Sequence, residues 1–339
     1  MPGQTGSKAP DVLSAKLVIL SVLPAYLLIL AGAALRRVGV LRRDHDEGVM
    51  HVVFHVLYPC LILDKILGSE AVRSFSSVGW SVLLGFFLPI SGIACGWLVG
   101  KLIGLENGTG RRTFALSAGV QNFGYTAIPV VQQLWGIGAL SVLFVHNLGV
   151  ELAMWSVGVM LMSGGSRIEW RKLINGPVFA VVGGLLLVAL GVDQYLTPPK
   201  VGATGLQTYL IAPMREAMKM LGSGAFPMAI VLTGAMMWDL MGKERPSAKI
   251  LLGGSLVRFV ISPAIILAAA KFLPIPLELK QVLVVQAAMP AAMTPILFAR
   301  IYGGRPGIAV QIVVATTVIS LLTLPWIISW GTAWVGLKP

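Results

Sequence analysis

The chain has 339 residues, of which 56% are hydrophobic and 12% charged, with a mean hydropathy of +0.83. Soluble domains are about half apolar and a quarter charged, so this composition describes a polytopic membrane protein. The formal charge of +12 does not signal a nucleic-acid binder, because Lys and Arg fall in short pulses between apolar runs, as loop charges do. Cys60 and Cys95 both lie inside apolar runs, which argues against a disulfide framework.

Residues 1–11 are polar and read as a disordered N-terminus. Val12–Leu35 is long enough to span at about 20 residues per crossing and too long for a signal-peptide core, so it is the first helix. Spans follow at Glu47–Leu67, Ser77–Ile103, Gly110–Leu134 and Ile137–Met162. A polar hinge over residues 163–171 separates these from Lys172–Val192, Gly222–Met241, Ala248–Phe272, Pro276–Arg300 and Gly307–Val335. Gln207–Leu221 is amphipathic and is expected along the membrane surface before the seventh span. The chain thus divides into a first five-helix unit, 12–162, and a second, 172–335.

Alternate loops place fifteen Lys and Arg on one side, among them Arg36, Arg42, Arg111, Arg167, Lys172, Arg300 and Arg305. Nine fall on the other, among them Arg73, Lys200, Arg215, Lys271 and Lys280. The richer side is predicted cytoplasmic, which leaves both termini non-cytoplasmic in a multi-pass protein of the inner or plasma membrane. Five spans per half is an odd number, so the second half enters from the opposite face as an inverted repeat. Spacing agrees: Pro59 to Pro129 is 70 positions (129 − 59), and Pro227 to Pro295 is 68 (295 − 227).

Two stretches are unlike ordinary membrane helices. Gly119–Gly136, GVQNFGYTAIPVVQQLWG, carries Gln121, Asn122, Gln132, Gln133 and Pro129; Gln286–Tyr302, QAAMPAAMTPILFARIY, carries Pro290 and Pro295. Proline lacks an N–H and clashes with the carbonyl four residues back, so each helix is expected to break at its prolines, freeing carbonyls at Tyr125, Gln286 and Ala291. Broken backbone at membrane depth is tolerated where it lines a cavity, and a pair of interrupted spans in corresponding halves marks the midplane site of a secondary transporter.

These residues resemble the auxin efflux carrier family, which includes the plant PIN auxin exporters. Asn122, Ile128 and Pro129 match the P-N-T-x-x-x-G-I-P pattern of its fourth helix. Ala288, Pro290, Pro295, Phe298 and Ala299, with Arg300 for Lys, match the ninth, and the Pro59 segment resembles the second. Gln121 and Ala127 depart from the family's Pro and Gly, Ala291 replaces a Gln, and Ser76–Ser81 lacks the plant members' Asp and Lys. The resemblance implies an all-α fold of ten transmembrane helices, with helices 4 and 9 broken and crossing in an X. It implies a scaffold of helices 1, 2, 6 and 7 and a mobile crossover domain of helices 3–5 and 8–10. A small organic anion such as a carboxylate would bind at the crossover.

The half-helices beginning at Pro129 and Pro295 would offer free N–H groups and positive dipole ends to that anion. Gln121, Asn122, Gln286, Pro290 and Thr294 complete the candidate substrate site. Glu151 and Arg258 are ionisable at matching depth, about 16 and 15 Å from the inner ends of the fifth and eighth helices, and are expected to form an ion pair or a coupling site, with His146 beside them. A proton or sodium is the candidate coupling ion, the lipid bilayer the medium, and a homodimer the candidate assembly; no cofactor, metal or nucleic acid is called for. The chain has no GxSxG, P-loop, DxxD or CxxC to support an enzyme. Two alternatives stand beside the exporter or facilitator reading: a sodium-coupled symporter of the bile-acid-carrier type, and an intramembrane metal-binding protein built on His51 and His55.

Overall fold

A computed structural model describes residues 15–124, 126–165, 175–197, 205–240 and 246–337. Among them every regular element is helical; besides the short pieces Glu70–Val72 and Val192–Leu196 these are α1 (Ala15–Arg37), α2 (Arg43–Ile66), α3 (Phe75–Leu102), α4 (Thr109–Gly119), α5 (Ala127–Ser163), α6 (Gly176–Ala189), α7 (Gln207–Asp239), α8 (Ala248–Phe272), α9 (Leu277–Ala288), α10 (Thr294–Ile301) and α11 (Pro306–Val335). Six of these, α2, α3, α5, α7, α8 and α11, are long and apolar enough to cross a membrane. The expected terminal segment 1–11 and most of the hinge 163–171 lie outside the described residues, as does Tyr125.

The expected fourth span, 110–134, falls partly on α4 and partly on the start of α5; the ninth, 276–300, falls on α9 and α10. In both cases the helix stops where the backbone turns extended, the residue at the turn still donating back to the helix, Val120 N to Leu116 O (3.2 Å) and Met289 N to Gln286 O (3.3 Å). Val120 is extended (φ −99°, ψ 122°), and so is Met289 (φ −68°, ψ 143°). Within α5 the chain turns sharply at Gly136 (φ +77°, ψ −157°), a conformation that only glycine adopts without strain, which separates the short N-terminal arm from the long one.

α4 and α9 are enclosed by protein. Every residue from Thr113 to Gly119 and from Val282 to Ala288 is buried. α4 lies against α3 and α11, and α9 against α5, α8 and α11. Small residues permit the closest approaches, as the Gly92/Gly96/Gly100 series anticipates. A Cβ on Gly92 would lie 2.2 Å from the Gly119 carbonyl oxygen, and one on Gly96 2.8 Å from that of Ala115. α1 and α7 meet in the same manner: Cβ atoms on Gly32 and Gly234 would each sit 1.9 Å from a backbone oxygen, of Val231 and Ile29 respectively.

One placement differs from expectation. Gln207–Leu221 does not lie apart on a surface; it runs on into the seventh span as the first half of α7. Its Ala212–Ser223 section docks on the second half of α2, where Gly222 leaves room for the backbone of Leu61. Its amphipathic pattern records one face on α2 and another, with Tyr209, Met214 and Met220, exposed.

Candidate functional site

The two interruptions meet. Asn122 N donates to Pro290 O (2.7 Å) and Ala292 N to Val120 O (2.9 Å), flanking an antiparallel bridge between Gln121 and Ala291. Ala291 N donates to Thr316 Oγ1 of α11 (3.1 Å). Backbone groups that the helices no longer satisfy are thus satisfied across the break, as a buried chain requires.

The side chains take up much of what remains. Phe123 O accepts from Asn147 Nδ2 (3.0 Å) and from Gln286 Nε2 (3.3 Å), which ties α5 and α9 to the first interruption. Asn122 Nδ2 donates to Thr126 Oγ1 (3.2 Å). Gln121 Nε2, Gln286 Oε1 and Asn147 Oδ1 are buried without a hydrogen-bond partner.

A cavity of about 110 Å³ opens beside this junction. Asn122, Phe123, Gly124, Thr294, Met293, Asn147 and Glu151 supply its polar side and backbone, while Phe54, Tyr58, Ile62, Phe144 and Val181 make the rest apolar. Of the sequence candidates, Asn122, Thr294 and Glu151 line it. Gln121 (1% exposed) and Gln286 (0%) sit behind its wall, and Pro290 contributes its carbonyl to the junction. The helix starts differ from expectation at one site. α5 begins at Ala127, so Pro129 is its third residue and the break precedes it by several positions. Pro295 is the second residue of α10. Proline suits a first turn, where its missing N–H has no helical partner to lose. Neither helix start has a side-chain cap. Pro129 faces a separate cavity at the far end of α2, with Gln132, Asp64 and Lys65. Of the carbonyls expected to be free, Gln286 O is taken by Met289 N (3.3 Å).

The expected Glu151–Arg258 ion pair does not form. Glu151 Oε2 accepts from Trp155 Nε1 (2.7 Å), one turn along the same helix. Arg258, 0% exposed, reaches the Gly119 carbonyl at the end of α4 (Nη1···O 3.4 Å), and no described carboxylate lies within ion-pair distance of it. Residue counting assigns the two one depth, but the helix faces send one into the cavity and the other against α4. Arg258 therefore meets the negative end of a helix dipole in place of a carboxylate. His146 is completely buried, its backbone against Gly85 of α3 and its ring near the Ser81 backbone at a geometry too poor for a full hydrogen bond. It does not line the cavity. His51 and His55 stack on each other (centroids 5.1 Å), and no cluster of three metal-ligating side chains occurs among the described residues.

Asn147 is the residue whose part was least expected. Its signal was the four-residue step to Glu151, which puts both on one helix face. The apolar lining from α2 and α6 carried no comparable mark in the sequence.

At either end of α2 lies an ion-pair group. Arg36, 8% exposed, holds Asp46 through Nη2 (2.6 Å) and Asp239 through Nε (3.3 Å), and Arg43 completes the set with Asp239 (3.0 Å). At the other end Asp64 pairs with Lys65 (2.9 Å) and Arg215 (3.7 Å).

Comparison with known proteins bears on what this junction serves. The family model described as "Membrane transport protein" matches residues 17–172 and 166–328. An uncharacterized transporter of Methanothermobacter thermautotrophicus is 24% identical over 314 residues, 90% of this chain and 95% of its own. An uncharacterized transporter of Methanocaldococcus jannaschii is 23% identical over 94% of this chain and 98% of its own. Auxin efflux carrier component 4 of Arabidopsis thaliana is 25% identical over 231 residues, 67% of this chain and 34% of its own. Matched by that model over nearly its whole length, the chain belongs to the membrane transport family of the auxin efflux carriers and is a multi-pass membrane protein.

Proposed function

We propose that this protein is a secondary transporter of a small organic anion, an exporter or facilitator working by alternating access at the junction of the two interrupted segments. The carrying observation is that Asn122 and Thr294, one from each interruption, line a single cavity, with the uncapped starts of α5 and α10 beside them. Helix starts carry partial positive charge, which suits a carboxylate. The mainly apolar remainder of the wall suits a carboxylate with an apolar body.

In this reading the chain crosses the membrane ten times as two inverted five-helix repeats. The fourth crossing is α4 with the first arm of α5, the ninth is α9 with α10, and the two cross at their breaks. Crossings 3–5 and 8–10 form the mobile domain, and 1, 2, 6 and 7 the scaffold, with both termini non-cytoplasmic. The cavity at the start of α2, which includes Arg300 of α10, and the one at its far end, which includes Pro129 of α5, lie where such domains would part. Gln121, Gln286, Pro290, Pro129 and Pro295 then shape the site from behind, and Asn122 and Thr294 meet the substrate.

Flux through reconstituted proteoliposomes tests this. Asn122→Ala removes the amide at the cavity and its bond to Thr126, and is expected to lower uptake of a carboxylate at least about tenfold, the loss of one charge-assisted hydrogen bond, while the protein still elutes as a single species. Wild-type flux in Asn122→Ala and Pro129→Ala alike would remove the junction from the mechanism.

A further inference from the structure

We infer that Glu151 takes up one proton together with each substrate anion, so that the protein moves the two as a neutral pair. The inference rests on the anion-transport reading and adds its coupling ion. Among the described residues Glu151 is the only carboxyl in the cavity lining. Trp155 Nε1 donates to its carboxylate (2.7 Å), and the nearby Asn147 Nδ2 is committed to Phe123 O. An anionic substrate entering this cavity would face an anionic wall. Two carboxylates in one poorly solvated site do not both stay ionised; one takes a proton and the pair shares it.

Among the described residues the surroundings offer no other group to do this. α2 brings Tyr58 to the lining and no acid or base besides; its His51 and His55 stack on each other elsewhere. α6 contributes Pro177, Val178 and Val181. α10 contributes Thr294, with Phe298 packed on Trp155 (4.8 Å), while its Arg300 lines a different cavity. The first interruption contributes Asn122 and Phe123, the second Ala292 and Met293. On α5 itself His146 turns to α3. From α8, Arg258 stands at the end of α4 as a buried cation without a carboxylate.

Arg258 sets the charge balance. With Glu151 ionised and no ligand, the two fixed charges around the junction cancel. With Glu151 protonated and one monocarboxylate bound, they cancel again. Either other combination leaves a net charge inside the membrane, which is costly. The proton comes from water onto the Glu151 carboxylate when the anion binds, and returns to water when the anion leaves; no bond other than O–H is made or broken.

Calorimetric titration of the full-length protein in lipid nanodiscs with phenylacetate, benzoate and 4-methylpentanoate tests this, in buffers of differing ionisation enthalpy between about pH 5 and pH 9. Binding favours the protonated carboxyl, so affinity should fall about tenfold per pH unit above its titration point, with about one proton taken up per anion. In Glu151→Gln, which can still accept from Trp155, any remaining binding should carry no proton and lose its pH slope. Glu151→Asp should restore both. Wild-type binding with no proton uptake overturns the inference and leaves anion binding standing, as does a slope that survives in Glu151→Gln. Failure of the wild type to bind all three acids overturns the anion reading and this inference with it. Should Glu151→Gln not fold, the wild-type proton count decides alone.

Discussion

At the residue scale, the protein uses its polar side chains chiefly to repair backbone and its glycines to bring backbones together. Gln286 and Asn147 both donate to Phe123 O, a carbonyl that an unbroken helix would have satisfied. That explains why amides occur in an apolar stretch: a lost backbone bond in hydrocarbon costs more than an amide does once the amide replaces it. The glycines are equally specific. Gly234→Ala would press a methyl to 1.9 Å from Ile29 O, with backbone on both sides and no flexible side chain to yield. We expect a loss of about 1–3 kcal/mol, seen as an earlier thermal unfolding transition in detergent. Gly183, with nothing near its Cβ position, serves as the control: Gly183→Ala should leave the transition unmoved or raise it.

At the element scale, short pieces are held by ion pairs and long ones by packing. The Val192–Leu196 helix has five residues, too few to be stable alone. Its Asp193, 0% exposed, accepts from Gly68 N (3.2 Å) and Arg73 Nη2 (2.7 Å), which fastens it to the turn after α2. Asp193→Ala would strand a buried donor and a cation. Arg73 keeps 25% of its side chain exposed, so the loss is expected at about 2–4 kcal/mol, below that of a wholly buried pair. Thermal unfolding measures it, and Asp193→Asn should recover part by keeping the acceptor for Gly68 N. The loops between α3 and α4 and between α10 and α11 are joined by Glu106 and Arg305, both about half exposed, so that link contributes little.

At the scale of the whole molecule, the meeting of residues 120–122 with 290–292 joins the two halves of the chain. The bonds Asn122 N to Pro290 O and Ala292 N to Val120 O flank the Gln121·Ala291 pair, the arrangement in which opposed Cα atoms are about 4.5 Å apart, within disulfide range. With Cys60 and Cys95 replaced by Ala, the double variant Gln121→Cys, Ala291→Cys should form an intramolecular disulfide under mild oxidation, counted by mass spectrometry, and regain its thiols with reductant. Two free thiols after oxidation would mean that the segments do not meet in the membrane. The sequence by itself determined the helical class, the membrane setting, the two interrupted stretches, and the small residues where helices close up. Hydropathy, proline and glycine act through local backbone chemistry, and that is written in order along the chain. Which polar groups meet was decided only by the tertiary structure. Counting residues assigns Glu151 and Arg258 one depth, yet the rotation of each helix against its neighbours aims one into the cavity and the other at the end of α4, and no spacing along a single chain records that rotation.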